Sequence, residues 1–400
     1  MLQPLELKAY DQMMQLRPEE GLDPRILIVA ITPDDIKTQD SKERSWFSLS
    51  DARLVQLLKE IKKYQPQSIG LDMYRDLPSN TKPNADLKKL FGEGRNSQDL
   101  FAVCKVKNPI TGDASAETPP DFIPKENLTF SDVLLDSDQV LRRHLLSIDP
   151  KRHSFCTAEN ALSWELAQQY LLQEKGIEPQ NTPEGSVLLG QARLQALLPH
   201  TGVYQGLDYK GKGLYNKKSD YKNYHILLNY RKTPEQNIAE LVSITKVRNK
   251  DSDIPNDVKN RIVLIGVTDP TAGRPDAEGT PDVVQTPYAL IPGVYIHAQM
   301  VSQIISAALG ERPLLGFWAW WEDALWILGW SSVGGLIVWR IRSTMAVGLT
   351  IAIAVVILYG SCFLLLVLGS WVPFVPSVLA LVSVIGILIY YATYKDRKQV

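Results

Sequence analysis

Residues 317–339 read FWAWWEDALWILGWSSVGGLIVW, residues 344–369 TMAVGLTIAIAVVILYGSCFLLLVLG and residues 371–393 WVPFVPSVLALVSVIGILIYYAT; from 317 to 393 the only charges are Glu322, Asp323, Arg340 and Arg342. Each block approaches the roughly 20 apolar residues that a helix needs to cross a bilayer. The joints RIRS (340–343) and SWVP (370–373) are so short that successive helices must run antiparallel. Three transmembrane helices are therefore expected, over about 317–339, 344–368 and 371–393. Buried helices of a soluble bundle would instead carry a polar stripe.

Basic residues near span ends are retained on the cytoplasmic side. Arg340 and Arg342 follow the first block, Lys395, Arg397 and Lys398 follow the third, and the joint at Gly369–Trp371 carries no charge. The alternation predicts residues 1–316 outside the cytoplasm and a short cytoplasmic tail at 395–400, in a multi-pass protein of the inner cell membrane. Trp318, Trp320, Trp321, Trp326, Trp371, Tyr390, Tyr391 and Tyr394 sit near span ends, where amphipathic rings favour the headgroup zone. MLQPLELKAYDQMMQLRP has no basic and apolar leader of its own, so a domain of that size on the outside calls for either an anchor or signal upstream of it or an inverted topology, and the basic-residue bias favours the first. Leu5, Ala9, Tyr10, Met13 and Leu16 give this opening stretch a helical pattern.

The soluble part reads as α/β. RILIVAIT (25–32), SIGLDMY (68–74), DLFAVCKV (99–106), HILLNYR (225–231) and RIVLIGVTD (261–269) are short apolar, β-branched runs. Leu54, Leu57, Leu58 and Ile61 lie at helical spacing behind a Ser50 or Asp51 cap, a second helix falls near 85–91, and residues 156–176 form a third that Gly176 ends. AELVSITKVRN (239–249) also reads as helical, and Val294, His297, Ala298, Val301, Ile304, Ile305 and Ala308 form a helical stripe before Gly310. Strand and helix alternating in this way predict a largely parallel sheet flanked by helices, with right-handed crossovers. The Lys- and Tyr-rich YKGKGLYNKKSDYKN (209–223) is taken as a solvated loop.

A formal net charge of -1 with no basic stripe argues against nucleic acid as a partner. Of the three cysteines, Cys362 lies in the second apolar block, while Cys104 and Cys156 either pair in an oxidising compartment or stay as buried thiols; spacing does not decide.

RILIVAIT, IGLDMYRDLP, LLDSDQVLRRHLL, LLNYR, RIVLIGVTD and TPYALIPGVYIHAQMVSQIISAALG, in that order and followed by three apolar blocks, resemble the type-two CHASE domain, a bacterial extracellular sensor module. The resemblance implies a periplasmic sensor of an unknown signal ligand, set between membrane segments, that feeds a histidine kinase, nucleotide cyclase or Ser/Thr kinase. The chain closes at YKDRKQV, so such an output is expected from a separate partner, and a homodimer is compatible with this role. The loop after RIVLIGVTD is longer and more polar than in the family pattern.

Open α/β sheets bind ligands beyond the carboxyl ends of their strands. That rule nominates Asp34 with Thr32 after the first strand, Asp72 and Arg75 after the second, and Thr268 and Asp269 after the last. Against a ligand role, Asp72 caps a helix or pairs with Arg75 or Arg142. His297 on an apolar helix face is expected as a hydrogen-bonded core residue, with no second ligand at metal spacing. Asp132, Asp136 and Asp138 lack the glycine and closing glutamate of a calcium loop, and read as a turn paired with Arg142 and Arg143. No hydrolase, phosphate-loop or metalloprotease signature is present, so neither catalytic residues, nor a metal, nor a cofactor are expected. The alternatives to a sensor are a membrane-bound hydrolase using Asp72 and Asp269 as acid and base, and a truncated receptor that scaffolds a complex.

Overall fold

The computed structural model describes residues 2–38, 49–74, 85–92, 99–105, 122–148, 156–197, 224–249, 258–269, 283–341 and 343–398. Arg75, Arg342, the Lys- and Tyr-rich stretch and the loop 271–282 lie outside the described residues. In chain order the elements are α1 (Gln3–Leu16), β1 (Ile26–Ile31), α2 (Pro33–Lys37), α3 (Asp51–Lys63), β2 (Ser68–Tyr74), α4 (Ala85–Gly92), β3 (Leu100–Cys104), β4 (Leu128–Phe130), β5 (Arg143–Ser147) and α5 (Leu162–Lys175). There follow β6 (Gln180–Asn181), β7 (Val187–Leu189), β8 (Ala192–Leu194), β9 (Tyr224–Leu227), β10 (Glu240–Ser243), α6 (Ile244–Asn249), β11 (Ile262–Val267), β12 (Val283–Gln285), β13 (Leu290–Pro292) and α7 (Gly293–Ala308). The chain closes with β14 (Gly316–Phe317), α8 (Trp320–Arg340), α9 (Thr344–Val367), β15 (Ser370–Trp371) and α10 (Val375–Lys398).

Two compact units result. One is the α/β unit, Pro18–Ala196 with Tyr209–Leu314; the other joins Met1–Arg17 and Leu197–Asp208 to Leu315–Val400. The α/β unit is built on a six-stranded sheet in the order β10-β1-β11-β2-β3-β4, and every neighbouring pair is parallel. β1 is buried along its whole length, as both faces of a covered parallel sheet require. α3 packs with α4 and α6, while α5 and α7 pack on each other, with α5 also against β2 and β3 and α7 against β1 and β11. The crossovers through α3, α4 and α6 all run in one direction across the sheet, and their right-handedness puts these three helices on one face. Ser50 caps α3 by accepting from the Arg53 amide.

The α/β reading of the sequence holds, with three local differences; the helix expected over 156–176 begins at Leu162, because Asn160 and Ala161 are extended in β-bridges to Ser147 and Phe130. AELVSITKVRN is only half helical: its first part is β10, the outer strand beside β1 with Leu27 opposite Glu240, and α6 begins at Ile244. HILLNYR contributes β9, which leaves the main sheet to pair antiparallel with β5. Cys104, at the end of β3, is joined to Cys156, with Cα atoms 5.6 Å apart.

In the second unit α8, α9 and α10 follow one another as antiparallel helices. Met345–Val367 and Val375–Ala392 are long and apolar enough to cross a membrane, with mean hydropathy 2.6 and 2.2, and only 22% and 17% of these windows are buried, the reverse of a soluble core helix. The expectation of three such helices is corrected to two. α8 has the length, 21 residues, but its five tryptophans, paired serines and the Glu322–Asp323 step dilute its apolarity. α8 nonetheless packs closely on α10, because a Cβ at Gly334 would stand 2.7 Å from the Leu381 carbonyl oxygen. α1 belongs to this unit. Glu6 accepts the Phe374 and Val375 amides at 3.0 and 2.7 Å, so it caps the start of α10, and Tyr10 stacks on Trp371 with ring centroids 4.5 Å apart. The short pairing of β14 with β15 ties the entry of α8 to the turn between α9 and α10.

Candidate functional site

The carboxyl ends of β1, β11 and β2 lie side by side, since Ile31 pairs with Val267 and Gly266 with Asp72. That register brings Asp34, Thr268, Asp269 and Asp72 to one edge of the sheet. Their environments then diverge. Asp34 is exposed on α2. The neighbouring Asp35 is the structural residue: it closes a capping box with Thr32, whose hydroxyl and amide donate to Asp35 Oδ2 at 2.6 and 2.9 Å, and its Oδ1 accepts from Thr245 at 3.1 Å. Thr268 is held through its amide by the Ile31 carbonyl at 3.3 Å, and it and Asp269 are half-buried.

Asp72 points inward. Its flank toward β3 is irregular, the pairing passing from Leu71↔Ala102 directly to Tyr74↔Val103, so Asp72 and Met73 form a bulge. Bulges re-aim side chains next to functional sites. On the other side of Asp72 stands Gly266, where a Cβ would lie 2.8 Å from Val294 Cβ and 3.3 Å from Asp72 Cβ. The missing side chain lets α7 sit directly on the sheet. In consequence His297 of α7 reaches Asp72, Nε2 to Oδ1 at 3.6 Å, with both side chains under a tenth exposed. Asp72 Oδ2 is buried without a hydrogen-bond partner among the described residues. Burial pushes the Asp72 carboxyl up to about 7.

Behind His297 lies His144 on β5. Its Nε2 is 2.8 Å from Ser163 Oγ at the start of α5, and that hydroxyl also approaches Met300 Sδ of α7 at 3.9 Å. Burial, then the charge of His297, press the His144 imidazole down to about 3, so it stays neutral across the physiological range. Four elements thus meet in one buried polar cluster: β2 through Asp72, α7 through His297, β5 through His144 and α5 through Ser163. Among the described residues neither a helix cap nor Arg142 accounts for Asp72, and Arg75 lies outside them. Arg142 is engaged by Asp136 at 2.9 Å and Asp138 at 2.8 Å, and Arg143 by Asp136 at 3.0 Å, which is the ion-paired turn expected of DSDQVLRR.

α7 carries a second polar face that the apolar stripe in its sequence concealed. Gln299 accepts the Arg231 amide and donates to the Arg231 carbonyl at 2.8 and 2.9 Å; Gln303 does the same for the Asn229 amide and Leu227 carbonyl at 3.0 and 2.9 Å. The two glutamines therefore act as a strand for the LLNYR segment. Ser302 donates to the fully buried Asp23 at 2.6 Å, and Arg25 holds the same carboxylate through two contacts of 2.8 Å while reaching Ser306 at 2.7 Å and Glu311 at 2.9 Å. Burial alone would raise the Asp23 carboxyl, but Arg25 overrides it and holds it below its ordinary range. Beyond the helix, Arg312 pairs with Glu20. Among the described residues no group of three metal-ligating side chains is found.

The sequence signal for this arrangement was partial. Asp72 stood out as an acid on an apolar strand, whereas His144 and Ser163, 19 residues apart and on different elements, have no local pattern that joins them to His297. The family model of the CHASE2 domain matches residues 1–336, from α1 through most of α8. No curated protein and no solved structure matches the chain significantly. With five-sixths of its length under that match, and with the parallel α/β sheet and its closing helix in place, the chain belongs to the CHASE2 domain family of extracellular sensor domains.

Proposed function

We propose that this chain is a membrane-anchored sensor of the inner cell membrane, in which the α/β unit lies outside the cytoplasm, binds a signal at the carboxyl edge of its sheet and passes a shift in α7 to the membrane helices. The observation that carries this reading is α7 itself. It is buried along nearly its whole length, is bonded to Asp23, to the LLNYR segment and to the Asp72 cluster, and leads to α8 after a connection of eleven residues, 309–319. A helix so placed cannot shift without disturbing every one of these contacts, and a signal acts by favouring one of two such arrangements. In this reading the tryptophans of α8 lie in the headgroup zone and its acidic first turn outside, and the Cys104–Cys156 bond suits an oxidising compartment. A kinase or cyclase would take up the signal on the cytoplasmic side, and two copies would associate through the membrane helices. The burial of Asp72 weighs against the hydrolase alternative, because a general acid must reach its substrate.

Fusion of alkaline phosphatase after Leu309 tests the orientation. The fusion is expected to be active, and a bright cytoplasmic fluorescent protein at the same joint, with inactive phosphatase, would refute it.

A further inference from the structure

We propose that Asp72 and His297 form a proton-operated latch between β2 and α7, closed when the pair holds one proton and released when that proton is lost as the medium outside turns from acidic to neutral and alkaline. The proposal rests on the reading of α7 as the transmitting helix and names the proton as a signal that acts on it.

The geometry makes the pair sensitive to its proton count. Asp72 Oδ1 faces His297 Nε2 at 3.6 Å, and Oδ2 has no partner among the described residues to compensate a charge. With one proton, shared between carboxyl oxygen and imidazole nitrogen, the pair is neutral overall. When the proton passes to bulk water, a carboxylate remains beside a neutral imidazole in a site with less than a tenth of either side chain exposed. An isolated buried carboxylate is strongly unfavourable and is relieved by admitting water, which here means moving α7 off the bulge.

Among the described residues the surroundings offer no other route to neutrality. α7 holds no Asp, Glu, Lys or Arg, and Tyr295 is its only other titratable residue. β11 presents Gly266 to Asp72, with Asp269 three residues further along. α5 presents the Ser163 hydroxyl, and β5 presents His144, which stays neutral and occupied with Ser163. The nearest cations described on that ribbon, Arg142 and Arg143, are committed to Asp136 and Asp138. The sign of the effect is fixed by Asp72. Its closed-state value, about 7, lies above the ordinary 3.8, so closure is favoured below the ordinary value and loses favour as pH rises, levelling off beyond about 7.

Hydrogen exchange of the 293–308 segment, in the full chain in lipid nanodiscs, tests this against Asp72→Asn. The ratio of wild-type to variant protection is expected to fall about tenfold per pH unit between about pH 5 and 7 and to be level above; taking the ratio cancels His144 and the intrinsic exchange rates. A ratio independent of pH overturns the latch, while the orientation given by the phosphatase fusion is indifferent to it. Should Asp72→Asn fail to fold, difference infrared spectroscopy of the wild type decides: the carboxyl or imidazolium band that carries the shared proton must bleach between about pH 5 and about pH 8 and be altered in His297→Gln, and the absence of any such pH-dependent band refutes the proposal.

Discussion

Asp23 offers the sharpest test of how α7 is held. Its carboxylate is fully buried and held by the Arg25 guanidinium, the Arg25 amide and the Ser302 hydroxyl, with the Arg231 guanidinium 3.8 Å away. Asp23→Ala leaves Arg25 with Glu311 and Ser306 among the described residues, and Arg231 with Ser306. Breaking a buried pair costs about 3–5 kcal/mol, and the partial exposure of Arg25 together with its remaining partners puts the expected loss near 3. In a unit of this size that lowers the melting temperature by roughly 6–12 °C. Ser302→Ala removes one charge-assisted hydrogen bond, about 1.5–3 kcal/mol, and does so only while Asp23 is present. A double-mutant cycle by thermal or denaturant unfolding should thus give a coupling of at least about 1 kcal/mol. Asp23 is held below its ordinary 3.8, so its contribution is present above that value and fades as pH falls through the lowered one. Asp23→Ala should therefore also flatten the acid limb of the stability profile. A loss under about 1 kcal/mol, additive with Ser302→Ala and with the acid limb unchanged, would refute the reasoning.

Two further outcomes follow from packing and covalent structure. Gly334→Val drives a side chain into the Leu381 carbonyl and should weaken the α8–α10 contact by about 1–3 kcal/mol, read as earlier thermal unfolding in detergent, whereas Gly348→Ala, with open space around it, should be neutral. Cys104→Ser should cost about 2–5 kcal/mol, and a reductant should produce the same shift in the wild type but no further shift in the variant.

Much of the fold was legible because parallel strands buried on both faces leave apolar runs: ILIVAI, SIGLDMY and IVLIGV are the inner strands β1, β2 and β11. β10 was misread because an outer strand has one exposed edge, and Glu240 and Leu241 are exposed there, which imitates the spacing of a helix. The edge of the sheet was legible for the same reason as the strands, and it did gather Asp34, Asp72, Thr268 and Asp269. The inward turn of Asp72 was not, since a bulge is a property of pairing with β3 and leaves no mark in SIGLDMY. The glutamines and serines of α7 look like polar interruptions in an apolar helix until the LLNYR backbone is placed against them. The span count differed because length survives in α8 while apolarity does not.

The cap that Glu6 places on α10 has a practical meaning. The first turn of a helix needs partners for its free amides, and at α10 two are taken by a residue 368 and 369 positions away in sequence. Proline at position 376 restricts what the local chain can do instead. A version of the protein trimmed to begin at Pro18, the natural choice for someone seeking a clean α/β fragment to pair with separate membrane helices, would strip α10 of its cap and Trp371 of its ring partner. In engineering terms α1 belongs with α8, α9 and α10, and chimeras should exchange it together with residues 315–398.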